Sequence, residues 1–135
     1  VLKAYNFATT YMENLGNNRF KLSQLPTRTQ FSPVYGILAD DFNGDGNRDL
    51  LMGGNFYGSR VKYGRYDANK GLCLLGDGKG NFIPLDVDQS GLNIDGEIRD
   101  IAKLNLADKS EIVLFARNND SVKVYKIEPK NKKVK

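Results

Sequence analysis

The stretch "DDFNGDGNRD", residues 40–49, sets four aspartates and two asparagines around Gly44 and Gly46, between the apolar runs "GILA" (36–39) and "LLM" (50–52). Counted from Asp41, oxygen-bearing side chains fall at alternate positions: Asp41 at 1, Asn43 at 3, Asp45 at 5, Asn47 at 7 and Asp49 at 9. A hard cation such as Ca²⁺ takes about six to eight oxygens at about 2.3–2.6 Å. A tightly curled loop can aim such alternate side chains at one point, with position 7 contributing its backbone carbonyl. Gly46 supplies the sharp turn that a Cβ would resist. Without a cation, the three carboxylates at positions 1, 5 and 9 repel one another. The plainer alternative is a polar hairpin turn that binds no metal, and composition alone leaves both open.

Outward from this loop, the chain lacks helical periodicity and reads as short apolar or alternating runs divided by Gly, Asn and Asp. Nine strands are predicted, at 9–14, 19–25, 34–40, 49–55, 71–76, 81–86, 97–104, 111–117 and 121–127. Nine short strands with tight turns predict an all-β antiparallel fold. A repeat runs through them. "ENLGNNRF" (13–20) matches "LGDGKGNF" (75–82) at an offset of 62, and the same offset carries Phe42 to Leu104, Asn43 to Asn105 and Asp49 to Glu111. A unit of about 60 residues with four strands has the size of a β-propeller blade, and the chain holds about two. Between the second and third strands of the unit, the first copy carries a connection 12 residues longer than the second.

Position 12 of the acidic loop is Met52, where an EF-hand or dockerin-type loop needs an acidic residue, and the flanks are strand-like. The pattern D-x-N-x-D-G-x-x-D followed by apolar residues resembles instead the FG-GAP or VCBS-type repeat of integrin α-chain propellers. With "LPTRTQFSPVYGILADDFNGDGNRDLLMGGNFYG", "GRYDANKGLCLLGDGKGNF", "EIRDI" and "ARNND", the chain is similar to the C-terminal end of FG-GAP-like repeat proteins of Bacteroidetes-type bacteria. The resemblance implies Ca²⁺ held by Asp41, Asn43, Asp45, the Asn47 carbonyl and Asp49. It implies a propeller segment over 1–127: the end of a preceding blade at about 1–30, a calcium-loop blade at 31–86 and a degenerate repeat at 87–127, with a basic tail at 128–135. In the second copy the offset of 62 puts Lys103 at position 1 and Ala107 at position 5, so one calcium site is expected.

The longer connection, 56–70, is the candidate ligand loop. It interleaves Tyr57, Tyr63 and Tyr66 with Arg60, Lys62 and Arg65, and adds Asp67 and Asn69. Aromatic faces beside hydrogen-bonding groups suit a glycan or a peptide, whereas the plainer alternative is that the tyrosines pin the loop onto its own sheet. "GDGKGNF" (76–82) lacks the ending of a phosphate loop and reads as a hairpin turn.

The net charge of +4 resides in residues 126–135, which hold five Lys and one Glu; the other 125 residues carry 15 basic and 15 acidic side chains. A nucleic-acid partner is therefore not expected. The chain has no histidine, which removes the usual general base. Its single cysteine, Cys73, lies in an apolar run and cannot form an internal disulfide. No stretch has the length of a membrane helix. The chain opens on Val1 and is read as a mature or excised piece of a longer protein.

These features lead to a non-catalytic calcium-binding propeller module of a secreted, periplasmic or cell-surface bacterial protein, serving ligand binding, adhesion or scaffolding. The alternative is part of a polysaccharide-degrading propeller enzyme, a lyase or hydrolase completed by further blades. Two blades leave sheet faces uncovered, so either upstream blades or self-association is expected to cover them.

Overall fold

A computed structural model describes residues 2–128 and is all-β and antiparallel. All nine predicted strands form: β1 (Thr10–Asn14), β2 (Phe20–Gln24), β3 (Val34–Asp40), β4 (Asp49–Gly54), β5 (Leu72–Gly76), β6 (Phe82–Pro84), β7 (Ile98–Asn105), β8 (Glu111–Arg117) and β9 (Lys123–Ile127). They make three meanders in chain order: a β1-β2 hairpin, a four-stranded sheet β3-β4-β5-β6 and a three-stranded sheet β7-β8-β9. A helix not expected from the sequence, α1 (Val87–Ser90), opens the link from β6 to β7. Its capping box, Asp86 with Gln89, was readable as the D-x-x-Q of "DVDQ". The basic tail lies, from residue 129 on, outside the described residues.

The two central strands of the middle sheet are buried on both faces, which explains why β4 and β5 are nearly continuous apolar runs rather than alternating ones. Met52 and Leu74, flanked by Leu50 and Leu72, pack with Leu25, Tyr11 and Phe82 on the side of the first hairpin. Leu51 and Cys73 face the opposite way and join Ile98, Ile101, Val113 and Phe115 of the third sheet. Leu92 and Ile94, from the link after α1, complete that second core. Gly53 lets the sheets close up: a Cβ there would lie 2.6 Å from the Ile98 side chain.

The repeat is real in the hairpins and shifted in the other strands. Asn14 pairs with Phe20 as Gly76 pairs with Phe82, at the expected offset of 62. The bulge of β3 between Val34 and Gly36 recurs in β7 between Ile98 and Asp100, an offset of 64. Across those bulges Gly53 corresponds to Ala116, an offset of 63. Met52 thus matches Phe115, both fully buried, while Lys103 matches Ala39 and Glu111 is not the counterpart of Asp49. The assignment of Lys103 to loop position 1 is therefore corrected. Residues 41–48 are replaced by a five-residue turn, in which Leu106 N–H donates to the Ser110 carbonyl at 2.8 Å.

Candidate functional site

The acidic loop is wound around Asp41. Its Oδ1 accepts the N–H groups of Gly44 at 2.7 Å and Asp45 at 3.2 Å, and its Oδ2 accepts that of Gly46 at 2.8 Å. Asn43 Oδ1 accepts the Asp45 N–H and its amide donates to Asp45 Oδ2 at 2.9 Å, while Asp45 Oδ1 accepts the Asn47 N–H at 2.7 Å. Gly44 and Gly46 take φ of 76° and 88°, the left-handed conformation that this winding requires. The Asn47 amide lies against Gly78 of the β5–β6 turn, where a Cβ would meet its Oδ1 at 2.4 Å.

Asp49 plays a different part from the other four. It is fully buried, its Oδ2 accepts the Phe42 N–H and its Oδ1 the Gly76 N–H, each at 2.9 Å. The carboxylate therefore locks the loop exit to the third strand of the same sheet. Among the described residues, no three His, Cys, Asp or Glu side chains gather as a ready metal cluster. The donor chemistry at 41–47 is carboxylate, amide and backbone oxygen throughout, with neither nitrogen nor sulfur donors, and it fits a hard cation.

Asp40, beside the loop, ties the middle sheet to the third. It pairs with Arg48 and with Lys103, whose ammonium also reaches Glu111 at 3.0 Å. The Lys103 hydrogen bond is the main cause holding the Asp40 carboxyl below its usual value, and Asp40 in turn raises Lys103. An apolar cleft of about 410 Å³ opens nearby between the two sheets, lined by Phe42, Asn43, Leu85, Leu92, Phe115 and Tyr125 among others.

The connection 56–70 leaves from the opposite end of β4. A bridge between Phe56 and Tyr66 pinches it, and Val61–Tyr63 forms one 3₁₀ turn. Arg65 stacks 4.9 Å from the centre of the Tyr57 ring, bringing those two predicted residues together. Tyr63, Tyr66, Arg60 and Asp67 are exposed, so the loop displays most of its polar and aromatic groups. Its anchor is a residue that the sequence reading passed over. Asn55 is fully buried at φ 85°, donates to the Asn69 and Gly96 carbonyls, and accepts from the Asn69 N–H and the Ser32 hydroxyl.

Glu97 is the second anchor. It accepts the Tyr57 N–H and the Asn118 amide at 2.9 Å and pairs with Arg99, whose guanidinium lies 4.3 Å from the centre of the Tyr35 ring. The Tyr57 N–H first, then Asn118, hold its carboxyl below the ordinary glutamate value of 4.5, against burial that raises it. Because the folded-state value is depressed, this stabilisation is complete above the ordinary value and fades as pH falls through the folded one. Hydrogen-exchange protection at Tyr57 is expected to drop as pH falls below the ordinary glutamate value of 4.5. In Glu97→Gln, protection should be low and independent of pH over the same fall; an unchanged profile would remove Glu97 as the anchor.

Comparison of the chain with known protein families, curated proteins and solved structures finds no significant match to any of them. The assignment of function therefore rests on the geometry just described.

Proposed function

We propose that the chain is a non-catalytic, calcium-binding β-propeller segment of an exported or cell-surface protein that binds a ligand or serves as a scaffold. The carrying observation is the loop at 41–47, wound by three N–H groups onto Asp41, with Asn43 and Asp45 brought alongside through side-chain oxygens. Asp41, Asn43 and Asp45 would hold Ca²⁺ through side-chain oxygens and Asn47 through its carbonyl. Asp49 would join as a ligand while keeping its two backbone bonds, since a carboxylate oxygen can accept more than one partner.

The propeller reading draws support from three antiparallel meanders stacked face to face in chain order, the middle one four-stranded. The blades then divide at about residues 30 and 86, within the two links between sheets. The ion supplies charge neutralisation at the β3–β4 corner. The chain's own residues curl the backbone and fix that corner to β5 through Asp49 and Asn47. The display of Tyr63, Tyr66, Arg60 and Asp67 on an anchored loop suits a glycan or protein ligand, placed at the end of the sheets away from the ion.

Modules of this kind bind calcium at about 10⁻⁴–10⁻³ M. At about 1 mM free ion, linkage adds about 0.4–1.4 kcal/mol to stability, which orders a corner without being the main source of folding. Titration calorimetry is expected to register one site in that range, with little response to magnesium. Asp41→Ala, at a half-buried loop start outside the strands, should abolish the heat while far-UV circular dichroism stays unchanged. No heat from the unaltered chain at millimolar calcium would end the calcium reading.

A further inference from the structure

We propose that the two outermost sheet faces are a complementary pair, through which one copy of the chain stacks head to tail on a second copy. On the β1-β2 hairpin, Tyr11 points to the middle sheet, so its neighbours Met12, Phe20 and Leu22 point away, and they are 60%, 53% and 58% exposed. None of the residues on this outward face, from Thr10 to Gln24 by alternation, is charged. On the third sheet Val113, Phe115 and Tyr125 point inward, which turns Leu104, Ile112, Leu114 and Val124 outward, flanked by the charged Asp100 and Lys126. Leu104 and Val124 are 47% and 57% exposed. Solvent-facing strands normally alternate with polar residues, so two such apolar faces on one small chain ask for a cover.

The repeat says what that cover is. The pairs Met12↔Leu22 and Asn14↔Phe20 correspond to Leu74↔Pro84 and Gly76↔Phe82 in the middle sheet. That equivalent face is covered by Tyr11, whose ring meets Phe82 edge-on at 5.6 Å. The counterpart of Tyr11 in the middle sheet is Cys73, and the counterpart of Cys73, paired through Leu51 and Leu114, is Val124. Val124 and Leu114 of one copy thus stand toward Met12 and Leu22 of the next as Tyr11 stands toward Leu74 and Phe82 within the chain. Both internal interfaces follow this order, and a second copy extends it without a new kind of contact. The contact is heterologous, using different faces on the two copies.

Sedimentation equilibrium tests this with Leu22→Lys and Val124→Lys, both at exposed strand positions, whose folding is checked by circular dichroism and thermal melting. The unaltered chain is expected to gain mass with concentration, and each variant to weaken association at least tenfold. Each variant keeps one intact face, so an equimolar mixture should recover association and stop at one-to-one heterodimers. A chain that stays monomeric overturns the proposal, as does association that survives both substitutions. A mixture no more associated than its parts also overturns it, because identical faces would then be pairing.

Discussion

Asp49→Ala is expected to destabilise the chain by about 3 kcal/mol even in calcium-free buffer. The residue is fully buried, and each carboxylate oxygen accepts one backbone N–H, from Phe42 and from Gly76. Removing it strands two donors in a site too enclosed for easy rehydration, at about 1–3 kcal/mol each, less what is regained by no longer burying a charge. Asp49→Asn should lose about half as much, because its amide oxygen can keep one donor while its NH₂ opposes the other. The comparison with Asp41→Ala gives the result its meaning. If Asp49 acted only as a ligand, its loss without calcium would relieve repulsion among carboxylates and leave stability unchanged or raised. Chemical denaturation of the three variants with and without calcium separates the roles. A calcium-free cost for Asp49→Ala no larger than that for Asp41→Ala would refute the latch.

That Asp49 differs from its neighbours was not visible in the spacing. Alternation placed it ninth in a cage, and only the pairing of β4 with β5 shows the Gly76 N–H reaching it across the sheet. The strands themselves were legible because Gly, Asn and Asp punctuate each apolar run where a turn needs left-handed backbone, as at Asn17, Asn18 and Asn119. The offset between copies was legible only in part. It held in hairpins with equal turns but failed in β7 and β8, because the link into β7 is two residues longer than the link into β3 and the turn after β7 is one residue shorter than the acidic loop. An error of one residue in β8 exchanges the two faces, putting Leu114 in the core in place of Phe115. Sequence matching maximises identity and has no knowledge of which face is buried. The link at 87–97 was likewise opaque. Leu92 and Ile94 fill the core from an irregular segment with no period to betray them, and Glu97 serves the loop from the start of another sheet.

Asn55→Ala is the substitution expected to cost most, about 4 kcal/mol, out of a total of about 5–15 kcal/mol for an ordinary domain. Asn55 combines a backbone at φ 85° with a side chain that makes four hydrogen bonds. Alanine would leave the Asn69 N–H and carbonyl and the Gly96 carbonyl short of partners, with the Ser32 hydroxyl falling back on the Tyr66 carbonyl, and would also occupy the left-handed region at about 1 kcal/mol. Asn55→Gly removes that backbone penalty and keeps the polar loss, so it should recover about 1 kcal/mol and no more. Asn55→Asp retains the acceptor but turns a carboxylate oxygen toward two carbonyls, and should fare no better than alanine. The loss falls unevenly on the fold. Asn55 joins the end of β4 to both ends of the loop 56–70 and to Gly96 before β7, so hydrogen-exchange protection should collapse first at Asn69, Gly71 and Phe56 while β1 and β2 keep theirs. Recovery of full stability by Asn55→Gly would show that the backbone angle alone required asparagine there. Equal loss of protection across all three sheets would show that Asn55 serves the global core rather than the loop it anchors.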